Sequence, residues 1–137
     1  MLRRSIVELC QADHKGDAET LELWLANKTT ENMRRWMTEN YLLVAIENEA
    51  IVGVAAVRKS GEVILNYVSP DARWRGVSKA LMMRLEEWAA AHGIERCTLL
   101  STSTARRFYL SAGYRETGPA RVGVGRTVGH PMAKELA

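Results

Sequence analysis

The residues best suited to chemistry gather around one glycine. Arg73-x-x-Gly76-x-Ser78 stands between a short apolar strand ending in Tyr67-Val68-Ser69-Pro70 and a long amphipathic helix. The first turn of a helix leaves backbone N–H groups without intrahelical partners, and the macrodipole adds positive potential there. Here those groups belong to residues around Arg75 to Ala80, so the turn reads as a pyrophosphate cradle. Gly76 carries no Cβ and lets a diphosphate approach the backbone. Val77 is expected to point into the core. Ser78 is small and has a hydroxyl to donate, and Arg73, Arg75 and Lys79 supply charge around the rim. Pro70 and Asp71 suit the turn that redirects the chain. The hexapeptide by itself fits equally well an ordinary strand-to-helix loop with a surface glycine. It is not the dinucleotide fingerprint, which needs three glycines, nor a Walker loop, which ends in Gly-Lys-Ser/Thr.

The elements that must position this turn follow from hydrophobic period. Ile6-Val7-Glu8-Leu9 alternates weakly, so Ser5 to Cys10 is expected to be a first strand, with Asp13 to Asp17 a loop. Leu21, Trp24 and Leu25 lie at helical spacing within Asp17 to Ala26. Thr29 or Thr30 caps a second helix through Met37, which puts Met33, Trp36 and Met37 on one face. Tyr41 to Glu47, Ala50 to Lys59 and Glu62 to Val68 read as a three-strand meander, turned at Asn48-Glu49 and at Ser60-Gly61. After Pro70 the period changes to 3.6. Val77, Leu81, Leu85 and Trp88 form one stripe of a helix that runs to about His92 and stops at Gly93. Arg96 to Ser101 is a strand, Ser103 or Thr104 caps a short helix ending at Gly113, and one or two strands follow, the last from His130 to Leu136. The third meander strand, the long helix and the next strand make a βαβ unit with parallel strands. The expected architecture is α/β (α+β): a mixed, largely antiparallel sheet with helices on its faces.

At 137 residues the chain is expected to form one domain. Its composition, 47% hydrophobic and 26% charged, is that of a soluble globular protein. No apolar run approaches the ~20 residues of a membrane span, and Met1 to Ser5 lacks the apolar region of a secretory signal, so no membrane partner is expected. Cys10 and Cys97 are too few and too far apart for a disulfide framework or a metal knuckle. They read as buried thiols in a reducing, cytoplasmic setting, with no metal. The net charge is +3, but acidic residues interleave with the arginines throughout, which argues for a mixed solvated surface and against nucleic acid.

Two segments in order carry a resemblance. Val68-Ser69-Pro70-x-x-Arg73-x-x-Gly76-Val77-Ser78-x-Ala80-Leu81 is similar to the acetyl-coenzyme A motif of the GCN5-related N-acetyltransferase (GNAT) superfamily, usually written Arg/Gln-x-x-Gly-x-Gly/Ala. Ala105-Arg106-Arg107-Phe108-Tyr109-x-x-x-Gly113-Tyr114 resembles the later helix of that family. The likeness covers residues 41 to 137 well and the first forty in outline. Ser78 replaces the usual final Gly or Ala, and Thr102 stands where many members carry Asn.

The resemblance implies a GNAT-like fold with a central acyl-CoA-binding βαβ unit and acetyl-CoA as cosubstrate. Backbone around Tyr67 and Val68 would pair with the pantetheine arm, and one N–H there would polarise the thioester carbonyl. The pyrophosphate would sit on Arg73 to Ala80, with Thr102 facing the cofactor arm. Tyr109 sits where the family's general acid usually sits, protonated at neutral pH. Glu62 lies six residues before Val68, at the offset of a catalytic Glu in some members. Period 2 would put it on one face with Ile64, Asn66 and Val68, where it could act as base through water.

His14, His92 and His130 are far apart and assemble no triad. Cys97 reads as a core residue, and Trp74 lies in the cradle loop, exposed or covering the cofactor. The implied activity is acetyl transfer by direct attack in a ternary complex, to a small-molecule or peptide amine. The likeness also allows a homodimer. Thr102 and the doubtful base admit a different class of function, a catalytically silent coenzyme A-binding sensor or scaffold.

Overall fold

Helices occupy the first forty residues of the computed structural model, which describes residues 1–136. They are α1 (Leu2–Leu9), α2 (Gln11–His14), α3 (Ala18–Leu25) and α4 (Thr30–Glu39). The expected strand from Ser5 to Cys10 is therefore a helix. The weak alternation spans only four residues, whereas Leu2, Ile6 and Cys10 recur every four and share one packed cluster; Ile6 is fully buried and Val7 is exposed. Asp17 caps α3 by accepting from the Thr20 N–H, and Thr29 caps α4 by accepting from the Asn32 N–H. Met33 and Trp36 pack inward from α4, while Met37 is exposed.

The meander forms as expected from β1 (Tyr41–Glu47), β2 (Ala50–Val57) and β3 (Val63–Val68), all antiparallel in the order β1-β2-β3. A one-turn 3-10 helix (Pro70–Ala72) leads to α5 (Val77–Ala91). Then come β4 (Arg96–Ser101), α6 (Arg106–Ser111), the short strands β5 (Arg115–Glu116) and β6 (Arg121–Val122), and β7 (Val128–Glu135). Strand β7 runs antiparallel to β4, β5 and β6.

The βαβ unit brings β3 and β4 together in parallel only at their beginnings. A single parallel bridge joins Glu62 to Thr98, and the Thr98 N–H donates to the Gly61 carbonyl at 3.0 Å. At Gly61 a Cβ would lie 2.3 Å from the Arg96 carbonyl oxygen, so only glycine lets the strands meet there. Past that point the strands pair with their outer neighbours and not with each other. The sheet is thus split into two halves joined at one end and open at the other.

Each face is covered. On one, Leu81, Met82, Leu85 and Ala89 of α5 pack with Ala55, Val57, Val63, Cys97, Leu99 and Met132 of the strands, and with Tyr109 and Tyr114. Full burial of one such side chain, Leu85 for example, contributes ~2 kcal/mol. On the other, Val54, Ala56 and Leu65 pack with Met33 and Trp36, and Ile6, Cys10 and Trp24 with Tyr67.

Candidate active site

The open end of the split sheet is a cleft of about 480 Å³. Residues 63–68 of β3 form one wall, and Leu99, Leu100 and Thr102 at the end of β4 form the other. Phe108, Tyr109 and Ser111 of α6, Thr104 and Ala105 just before it, residues 72–74 and 76–79, and Ser5, Leu9 and Cys10 complete the lining.

Unlike α3 and α4, α5 has no side-chain cap and no acidic residue in its first turn. The Ala80 N–H closes the first helical bond, to the Gly76 carbonyl. The donors left without helical partners are therefore those of Val77, Ser78 and Lys79, all lining the cleft, and Ala80 is not among them. Gly76 has φ 76°, a conformation favouring glycine, and a Cβ there would meet nothing within 4 Å. The space in front of this helix is open. Val77 packs against the core as expected.

The rim arginines divide. Arg73 lines the cleft with its guanidinium 4.5 Å from the Trp74 ring centroid. Arg75 does not line it; that side chain pairs with Glu47 at the end of β1 and donates to the Asp71 carbonyl. Arg4 holds Asp71 from the other side with two bonds of 2.8 and 2.9 Å, and keeps its carboxyl below the usual range.

In the interior, Tyr109 is buried, and its phenol oxygen accepts from Asn66 Nδ2 at 3.0 Å. Phe108 and Tyr114 meet its ring edge-on at 5.2 and 5.5 Å, which fixes the ring plane. Burial pushes the Tyr109 phenol up to about 12, against the opposing effect of the Asn66 bond. Tyr67 lies on the opposite face of β3, and its hydroxyl accepts from the Trp24 indole at 3.4 Å. Burial likewise pushes it up to about 12. Thr102 lines the cleft, but its Oγ1 is used by the Ala105 N–H, ahead of α6.

Glu62 is not brought to the cleft. It lies just before β3, exposed and paired with Arg58 at 3.4 Å. The period-2 argument fails at Ile64, where a bulge shifts the register: Ala56 faces Leu65, but Val57 faces Val63. No Asp, Glu or His lines the cleft among the described residues. The Cys10 thiol lines it, and burial pushes that thiol up to about 12. Cys97 is fully buried in the core and also pushed up, so neither has thiolate character. The histidines remain apart. His14 is buried, with Nδ1 accepting from the Gly16 N–H, so that Nε2 donates to the Ile6 and Val7 carbonyls. His92 Nδ1 bonds the Trp88 carbonyl, and His130 Nε2 is 3.1 Å from Ser103 Oγ.

Two residues with roles at the site escaped the sequence reading. Asn66 is one, although a lone amide in the apolar run Val63–Val68 is a signal of sorts. Asp13 is the other. Its carboxylate accepts from the Ser103 and Thr104 N–H groups and from the Thr104 hydroxyl, anchoring the turn into α6 from 90 residues away.

The acetyltransferase (GNAT) domain family model matches residues 10–136. The chain belongs to the GNAT family. A GCN5-related N-acetyltransferase of Rhodopseudomonas palustris superposes with a TM-score of 0.86 at 23% identity, over 98% of this chain and 84% of that one. The PaiA N-acetyltransferase of Thermoplasma acidophilum, in complex with coenzyme A, gives 0.80 at 18% identity, over 98% and 87%. An aminoglycoside 6′-N-acetyltransferase of Enterococcus faecium gives 0.70 at 17%, over 88% of each chain. At these identities the likeness is one of fold. No curated protein sequence matches this GNAT chain. No helix among its described residues is long and apolar enough to cross a membrane, and none of their side chains form a metal-binding group.

Proposed function

We propose that this chain transfers an acetyl group from acetyl-CoA to an amine acceptor, directly, in a ternary complex. The observation that carries the reading is one continuous cleft running from the uncapped start of α5 at Gly76 to the buried phenol of Tyr109. The residues fit the cosubstrate. Open space in front of Gly76, free N–H groups on Val77, Ser78 and Lys79, and no acidic side chain in the turn suit a diphosphate. Arg73 and Lys79 add positive charge. The β3 edge at Tyr67 and Val68 faces the gap with no strand partner, as an extended pantetheine arm requires.

Bound acetyl-CoA would supply an activated carbonyl and a thiol leaving group. Tyr109 holds a proton on its phenol oxygen for the departing sulfur. Asn66 donates to that oxygen, so the phenol hydrogen stays free to point elsewhere. A β3 backbone N–H near Val68 stabilises the negative oxygen that develops on the carbonyl. Cys10 remains protonated at neutral pH, which disfavours a covalent acyl-cysteine and supports direct transfer. With no carboxylate or imidazole in the lining, the acceptor amine loses its proton to water.

The test is thiol release from acetyl-CoA with a panel of amines: amino acids, polyamines, aminoglycosides and peptide N-termini. Acetyl-CoA is expected to raise the melting temperature of the free protein. Gly76→Asp, which adds bulk and negative charge at the diphosphate, is expected to abolish that rise. No rise at millimolar acetyl-CoA overturns the reading. The bare lining also favours a second reading, a coenzyme A-binding sensor or scaffold. It predicts the same rise in melting temperature with no amine-dependent thiol release.

A further inference from the structure

Trp74 is the most exposed large hydrophobic residue of the chain, at 87%. The other three tryptophans are packed: Trp24 is buried, Trp36 lies against the sheet, and Trp88 stacks between Tyr41 and His92. The backbone of Trp74 has φ 69°, the left-handed region where a residue with a Cβ is held at a cost. The loop maintains this conformation by bracing on both sides. Arg75 is tied to Glu47 and to the Asp71 carbonyl, and Asp71 is tied to Arg4. Arg73 lies over one face of the indole, and the exposure leaves the rest of the ring open. A strained, braced and outward-facing aromatic ring contributes little to the free fold. Such a ring suits a flat ligand.

The position of the ring identifies that ligand. Tyr109 marks the buried end of the cleft and the α5 start its outer part. If the acyl end of the donor meets Tyr109 and its diphosphate meets Val77 to Lys79, the nucleotide emerges at the loop that carries Trp74. We propose that the indole of Trp74, backed by the Arg73 guanidinium, is the stacking platform for the purine base of the acyl donor. This rests on the reading that acetyl-CoA occupies the cleft.

The test is calorimetric titration of acetyl-CoA into the wild-type chain and into Trp74→Ala, Trp74→Gly and Trp74→Phe. Glycine suits the left-handed backbone, so that variant keeps the loop where alanine could shift it. Loss of a base–aromatic stack is expected to weaken acetyl-CoA binding about tenfold in the Ala and Gly variants, with Phe within about threefold of wild type. S-acetyl-4′-phosphopantetheine, which lacks the purine, is expected to bind wild type and Trp74→Ala alike. Unchanged acetyl-CoA affinity in Ala and Gly overturns the proposal and leaves the cleft reading standing. So does a loss in Phe as large as in Ala, or an equal loss for the purine-free donor. If wild type binds no acetyl-CoA, this proposal and the cleft reading fall together.

Discussion

Asn66 donates from Nδ2 to the phenol oxygen of Tyr109 at 3.0 Å, across 43 residues of sequence. The bond joins β3 to α6 over the open part of the split sheet. It occupies a lone pair of the phenol, so the hydroxyl hydrogen is left for another acceptor. The Asn66 Oδ1 is buried and has no protein partner, which a ligand N–H in the cleft would satisfy. Tyr109→Phe is expected to lower kcat by about a hundredfold while changing acetyl-CoA affinity less than about threefold. Asn66→Ala is expected to lower kcat by about tenfold, and the double variant to be no worse than Tyr109→Phe. Equal kcat in wild type and Tyr109→Phe removes Tyr109 as the acid.

Burial penalises the phenolate and pushes the Tyr109 phenol up from its ordinary 10.0 to about 12. An acid with a raised pKa stays protonated as pH climbs. The rate of transfer should therefore rise as the acceptor amine deprotonates, and show no descending limb below pH ~10. The same shift bears on stability. As pH rises past 10 the unfolded chain ionises first, so this contribution is complete below pH ~10 and is lost progressively toward ~12. Tyr67, also near 12, acts in the same direction. Melting temperatures between pH 8 and 11 are expected to be flat and then to fall, less steeply in Tyr109→Phe. A falling limb of activity near pH 8 that is absent from Tyr109→Phe rules out the assigned protonation.

How much of this was legible in the sequence depended on range. The hairpin of β1 and β2, the stripe on α5 and the Gly76 turn are written in neighbouring residues, and each appears where the pattern put it. The caps at Asp17 and Thr29 are equally local. What was misread depended on distant partners or on a single inserted residue. The bulge at Ile64 leaves no trace in the alternation, yet it removes Glu62 from the face of Asn66. Arg75 looked like a phosphate ligand because Glu47 is 28 residues away. At the start of α6, Ser103 and Thr104 looked like the cap, but they are themselves held by Asp13.

Asp13 is only 5% exposed, and it gathers two backbone N–H groups and a hydroxyl onto one carboxylate. Charged hydrogen bonds of this kind contribute a net ~1.5–3 kcal/mol each, and removing the acceptor also leaves buried donors unsatisfied. Asp13→Ala is expected to cost about 3 kcal/mol, or about 10 °C of melting temperature. Because α6 carries Tyr109, kcat should fall as well, even at a temperature where the variant is fully folded. Asp13→Asn keeps one carbonyl acceptor and should lie between. A variant as stable as wild type with unchanged kcat overturns the anchoring role.

Gly53 of β2 supports the start of α5 from below. A Cβ there would lie 2.7 Å from Val77 Cγ1 and 2.9 Å from Leu81 Cδ1, both on the first turns of the helix. Val77 is β-branched and stiff, and Leu81 is buried, so the added atoms displace the helix start more easily than they find room. Gly53→Val should cost about 1–3 kcal/mol and also misplace the N–H groups of Val77, Ser78 and Lys79. Ala89→Gly is the matched control. It lies near the far end of the same helix, fully buried, and should cost about 1 kcal/mol without moving those donors. Acetyl-CoA affinity is expected to drop in Gly53→Val and to hold in Ala89→Gly. If both variants keep wild-type affinity, the seating of α5 on Gly53 does not govern the cradle. If both lose it alike, the loss follows global stability and not the position of the helix start.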